Sequence, residues 1–147
     1  MNNIYNGIIE NDTLRVAFLA WLIAQILKFI FNLFSNKKID ITRLLGSGGM
    51  PSSHSALVTS LSVYVGRMQG WTSSLFAVTL IFAFVVMYDA AGVRRASGKQ
   101  AEVLNQIIND IYHGTQISQE KLKELIGHTP IEVLAGSVLG IFIGSIF

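Results

Sequence analysis

The sequence predicts an all-α fold: a polytopic membrane helix bundle of about four transmembrane helices plus a cytoplasmic amphipathic helical segment, with residues 1–147 forming a single integral membrane domain. Three observations carry this prediction. Of the 147 residues, 51% are apolar and only 14% charged, and mean hydropathy is positive, a composition outside that of ordinary soluble domains. Four apolar segments, 14–34, 55–70, 72–92 and 130–147, approach the roughly 20 residues that a helix needs to cross a bilayer. A chain this short has too little polar surface to cover four such helices in water, so a buried-core reading competes only for the two shorter segments, 55–70 and 130–147.

The elements follow in order. Residues 1–13 carry Glu10 and Asp12 but no Lys or Arg, and the apolar run after them is too long for a signal-peptide core, so it is expected to stay as a transmembrane helix. Along it Gln25, Lys28 and Asn32 recur at spacings of three and four, one polar stripe near the end of the span. A lysine inside an apolar helix marks function or a snorkelling side chain, and its alignment with Gln25 and Asn32 favours a site-facing role. In the connection 93–129, Ala101, Leu104, Ile108, Ile111 and Tyr112 fall at helical spacing with Glu102, Asn105, Asn109 and Asp110 between them. That pattern predicts an amphipathic helix lying on the membrane surface. A second short helix is predicted from Ser118, a suitable N-cap, to Ile126, with Gly127 as its stop. On the last segment Gly136, Gly140 and Gly144 recur every four residues, a close-packing face that serves either a homo-oligomer or a contact within the monomer.

Charge sets the orientation. The loop after the first segment carries Lys37, Lys38 and Arg43, the connection 93–129 carries Arg94, Arg95, Lys99, Lys121 and Lys123, and the opposite side has little beyond Arg15 and Arg67. The positive-inside rule places both long loops in the cytoplasm. A net charge of +2 is too small to imply a nucleic-acid partner. The absence of cysteine excludes disulfides, thiolate catalysis and zinc–thiolate sites.

The chemistry concentrates where helices begin. The stretch "GGMPSSHSA", 48–56, places Gly48, Gly49, Pro51, Ser52, Ser53 and His54 directly before the second apolar segment. Pro51 suits the first helical turn, and free backbone N–H groups at a helix start, with the flexible Gly46-Ser47-Gly48-Gly49 backbone, make an anion cradle. The fourth segment repeats the design in "GHTPIE", 127–132. Here Thr129, Pro130 and Glu132 form a capping box, which accounts for Glu132 but not for His128. Four residues apart on one face, Glu132 can instead accept the His128 N–H and fix its tautomer while the other ring nitrogen attacks. Asp89 lies about a turn from Arg94 and Arg95 and suits a structural pairing with one of them. Thr59 and Ser60 read as helix-packing hydroxyls, and His113 as solvated and uninvolved.

"PSSHS" and His128-x-x-x-Glu132 followed by "VLAGSVLG" resemble the second and third motifs of the type 2 phosphatidic acid phosphatase and vanadium haloperoxidase superfamily. With "MYDAAGVRR" and "GHTPIEV" the chain is similar, over most of its length, to the small divergent bacterial and plastid branch. The resemblance implies a membrane lipid phosphatase in a bacterial plasma membrane, with His128 as nucleophile, Glu132 as its partner and His54 as general acid. Three features depart from the family pattern: Glu132 stands where Asp is usual, Leu122 stands where an arginine precedes the nucleophile by six residues, and the Lys and Arg-Pro of the first motif are not intact. The cations that grip phosphate are therefore sought among Lys28, Arg94 and Arg95, with Arg43 and Lys99 behind them.

The expected reaction is hydrolysis of a phospholipid phosphate monoester, phosphatidylglycerophosphate or phosphatidate, at the cytoplasmic face, without metal or other cofactor. The substrate-binding set is Lys28, Gly48, Gly49, Ser52, Ser53, Asp89, Arg94 and Arg95. Two competing readings stand beside it. One is a metal-dependent membrane hydrolase using His54, His128, Glu132 and Asp89; the other is a non-catalytic protein that binds or translocates lipid phosphates.

Overall fold

A computed structural model describes residues 2–36, 49–111 and 127–147. Among them the chain forms six helices: α1 (Asn2–Ile9), α2 (Asp12–Asn36), α3 (Ser53–Gln69), α4 (Ser74–Ala91), α5 (Val93–Ile111) and α6 (Pro130–Ile146). The short α1 was not anticipated. It ends in a turn at Glu10, after which the Asn11 carboxamide caps the long α2 by accepting from Leu14 N at 3.1 Å.

The bundle is organised around α3, which packs against α2, α4 and α6. α3 and α6 both start at one end, which also receives the C-terminal ends of α2 and α4. At the far end Arg67 of α3 donates to the Gly144 carbonyl of α6 at 3.0 Å. There a turn at 70–73 returns the chain into α4, where the Ser73 hydroxyl accepts from Phe76 N and Trp71 meets Phe76 edge-on with ring centroids 5.1 Å apart.

Small side chains face inward and large apolar ones outward. α4 buries only Ala83 and Ala90, while Val78, Ile81, Phe82, Phe84, Val85 and Tyr88 are exposed. α6 buries Val133, Gly136, Gly140, Ile143 and Gly144 and exposes Ile131, Leu134, Val138, Ile141, Phe142 and Ile146. This is the packing of helices in lipid, where association comes from close backbone approach and exposed apolar surface carries no penalty. Two helical stretches, Asp12–Phe34 and Ser74–Ile108, are long and apolar enough to cross a membrane, and Pro130–Ile146 is a shorter apolar helix. The expected segment 55–70 is different in kind. α3 carries Ser53, Ser55, Thr59, Ser60 and Ser62, all buried, and the neighbours on its sides remove the need for a lipid-facing apolar surface.

The glycine stripe of α6 lies against α3, and the two helices run in parallel. A Cβ at Gly136 would strike the Ser52 carbonyl, one at Gly140 would strike Thr59 Oγ1 and the Ala56 carbonyl, and one at Gly144 would meet the Ser60 carbonyl at 2.7 Å. The stripe is thus occupied inside the monomer and offers no face to a second copy. Thr59 Oγ1 donates to Ser55 O at 2.7 Å and lies 3.3 Å from Ser137 O across the same interface. Ser60 Oγ donates to Leu57 O. Both hydroxyls are satisfied on backbone carbonyls, the arrangement expected of packing residues.

Candidate active site

The start of α6 holds the His128–Glu132 pair. Thr129 caps the helix, its hydroxyl accepting from Glu132 N at 3.3 Å, and Glu132 Oε2 accepts from Thr129 N at 3.1 Å. The same Oε2 lies 3.0 Å from His128 Nδ1. The capping box and the imidazole partnership, alternatives in the sequence, therefore coexist on one oxygen. With Nδ1 donating to the carboxylate, the lone pair is on Nε2. His128 is 3% exposed, and its Nε2 has no hydrogen-bond partner among the described residues. A buried acceptor without a partner is costly, and such groups concentrate at functional sites.

Burial is the main cause holding the His128 imidazole below its ordinary range, opposed by the Glu132 hydrogen bond and charge and reinforced by the Lys28 and Arg94 charges. A neutral imidazole with one nitrogen held and the other open is the state a nucleophile needs.

His54 occupies the first turn of α3 and is exposed. The charges of Arg94, His128, Lys28 and Asp89 all act on its ring. The two imidazoles thus share one end of the bundle and lie within electrostatic reach of each other, with His128 inside and His54 outside. Lys28 is buried, and its aliphatic stem runs under Gly49: a Cβ there would sit 3.3 Å from Lys28 Cγ, and Gly49 has φ +91°, so only glycine suits the position. Lys28 faces the Glu132 carboxylate. Asp89 pairs with Arg94, Oδ2 to Nε 2.6 Å. Arg95 is exposed, and it meets the site through its backbone, against Gly127.

Backbone contacts lock these segments together. His128 N donates to the Ala90 carbonyl at 3.0 Å, and Ser52 N donates to the Glu132 carbonyl at 3.0 Å. Gly127, with φ +107°, lies so close to the backbone of Arg94 and Arg95 that a Cβ would collide with both. Gly127 is also the point where the loop bearing His128 touches the α4–α5 joint. Replacing it by alanine would displace that joint as well as strain φ. We expect Gly127→Ala to lower activity at least tenfold while the protein still inserts, checked by turnover of membrane preparations matched for protein content.

One expectation about the helix starts is corrected. Pro51 is not in the first turn of α3: the Ser52 hydroxyl takes Ser55 N at 3.4 Å as N-cap, so the helix begins at Ser53 and Pro51 belongs to the lead-in. Ser52 is fully buried, its N–H bonded to Glu132 O and its hydroxyl accepting from Ser55 Oγ at 3.0 Å. At α6 the capping box takes the N–H groups of Thr129 and Glu132, and Pro130 has none, which leaves little of an anion cradle there. Ser53 is buried in the first turn of α3. Gly48, Arg43, His113 and the helix expected from Ser118 to Ile126 lie outside the described residues. Among the described residues no three His, Asp or Glu side chains are grouped to hold a metal ion; of the four once considered, Asp89 is engaged by Arg94.

These features define a helical bundle with an apolar exterior and a two-histidine site at one end, braced by cations. The chain belongs to the Divergent PAP2 family, whose model matches residues 9–143. It is similar to the "Uncharacterized membrane protein YuiD" of Bacillus subtilis (strain 168), 41% identical over 147 aligned residues, which cover 92% of this chain and 93% of that protein. No solved structure matches the chain.

Proposed function

We propose that this protein is an integral membrane phosphatase that hydrolyses a lipid phosphate monoester through a phosphohistidine intermediate. The observation that carries the reading is the His128 ring, buried, bonded through Nδ1 to Glu132 and unpartnered at Nε2 among the described residues. In this reading α2, α3, α4 and α6 cross the bilayer as one domain and the site faces the cytoplasm, where the basic residues gather. Phosphatidylglycerophosphate and phosphatidate, lipids with a terminal phosphate, are the substrates that suit this placement.

The lone pair on His128 Nε2 attacks phosphorus, forming the N–P bond as the P–O bond to the lipid alkoxide breaks. The proton on His54 passes to the leaving oxygen. Water then attacks phosphorus and gives a proton to the neutral His54, and the P–N bond breaks to return the pair to Nε2. Glu132 stabilises the positive charge that the His128 ring gains during attack. Cations at the site offset the charge on the transferring group. The negative charge of the bound phosphate favours the His54 imidazolium that protonates the leaving group.

The test is direct. Purified protein in detergent, given a panel of phospholipid monoesters without added divalent ion, is expected to release inorganic phosphate and to be inhibited by vanadate. Binding of the lipid with no release by the wild type would instead support a non-catalytic carrier.

A further inference from the structure

We propose that Arg94 is the residue that grips the phosphoryl oxygens and that Asp89 is the positioning residue that aims it. The inference rests on the phosphoryl-transfer reading and adds the identity of its clamp. The geometry points to Arg94 on three grounds. First, the segment bearing it is fastened to the nucleophile on both sides: Ala90 O accepts from His128 N at 3.0 Å, and the carbonyl carbon of Arg94 lies against Gly127. Second, Asp89 on the last turn of α4 holds Arg94 on the first turn of α5 through Nε at 2.6 Å, across the break at Gly92. Bonding through Nε fixes the guanidinium plane and directs its terminal amino groups away as a fork, the geometry that matches two phosphate oxygens. Third, the guanidinium is reachable, its side chain 43% exposed, and its charge acts on both imidazoles.

The neighbouring cations do not fill this role. Arg95 contacts the site by its backbone. Lys28 is buried below Gly49, facing Glu132, and a lysine offers a point charge without a fork. A purely structural account, in which Asp89 and Arg94 only staple α4 to α5, makes a different prediction. A staple leaves vanadate affinity unchanged when either residue is replaced and the bundle still folds. A clamp aimed by Asp89 loses vanadate affinity in both Arg94→Gln and Asp89→Asn.

The experiment compares wild type with Arg94→Gln, Arg94→Lys, Asp89→Asn and His128→Ala, each checked for helical content and thermal midpoint. Phosphate release from phosphatidate in mixed micelles is followed across pH, and binding of inorganic vanadate is measured on the same samples. We expect Arg94→Gln to lower kcat/KM by about 10²-fold or more, Arg94→Lys to recover only a fraction of that loss, and vanadate to bind more weakly to both Arg94→Gln and Asp89→Asn than to wild type. Wild-type kcat/KM in Arg94→Gln, with His128→Ala inactive, overturns the clamp and leaves the phosphatase standing. Wild-type vanadate affinity in Asp89→Asn overturns its positioning role. If wild type releases no phosphate, the functional reading fails, and vanadate decides Arg94 separately: affinity at least tenfold weaker in Arg94→Gln supports the clamp, and equal affinity removes it. Should Arg94→Gln not fold, Arg94→Lys, which keeps the charge and loses the fork, carries the same comparison.

Discussion

Alanine at position 128 should abolish phosphate release, lowering kcat by about 10⁴-fold or more, because a covalent mechanism without its nucleophile retains only binding and electrostatic catalysis. The loss should come without collapse of the bundle. His128 precedes α6, and the Thr129–Glu132 capping box that starts the helix survives the substitution. Glu132→Gln should cost less, about 10²-fold or more by analogy with removal of an orienting carboxylate, and should leave a pH signature. Glu132 raises the His128 pKa against burial. Its charge removed, the imidazole protonates at still lower pH, so the acidic limb of kcat/KM moves down. The sign is fixed: the attacking ring must be neutral, activity rises as pH passes its pKa, and a lower pKa moves that rise to more acidic conditions. Phosphate-release assays of both variants across pH read these outcomes. Full activity in His128→Ala would end the mechanism, and an acidic limb moving upward in Glu132→Gln would remove Glu132 as its orienting partner.

Gly140→Leu should prevent stable assembly of the bundle, and Gly140→Ala should already lower its thermal midpoint sharply. The single methyl of alanine would overlap Thr59 Oγ1 and the Ala56 carbonyl. Neither obstacle is a flexible side-chain end: one is a backbone carbonyl, the other a hydroxyl held by Ser55 O at 2.7 Å. α3 and α6 would have to separate along their whole parallel contact. Overpacking of this kind costs about 1–3 kcal/mol for a methyl, and a leucine exceeds what the interface can absorb. The proper control is Gly7→Ala in α1, where nothing lies within 4 Å and the change removes only backbone freedom. Thermal unfolding in detergent, followed by circular dichroism, should separate the two variants clearly. Equal midpoints would show that the α3–α6 contact is looser than described. Because Gly136 abuts the Ser52 carbonyl, and Ser52 N is bonded to Glu132 O, damage to this stripe should also reach the site.

The helical character of the chain was legible from composition, and the His128–Glu132 pair from its spacing of four. Both are local: hydropathy is a property of a segment, and a side chain just ahead of a helix cap stays within reach of a carboxylate in the first turn. The place of α3 was harder to read. Its serines and threonine lower its hydropathy, and only its enclosure by α2, α4 and α6 explains why such a helix is stable in the middle of the bundle. Gly127 gave a signal, a glycine directly before a histidine, but its use could not be inferred without knowing that the Arg94–Arg95 backbone lies against it.

By itself the sequence determined that this protein is helical, that its outer surface is apolar, and that imidazoles stand beside two helix starts. Only the tertiary structure decided that those starts lie at one end, that the glycine stripe is filled within the monomer, and that Arg94 is bound to Asp89 next to the loop bearing His128. The division has a physical cause. Hydropathy and helical spacing act over a few residues and are written along the chain, whereas the meeting of His54, Lys28, Arg94 and His128 depends on backbone contacts between segments far apart in sequence, whose partners no local pattern names.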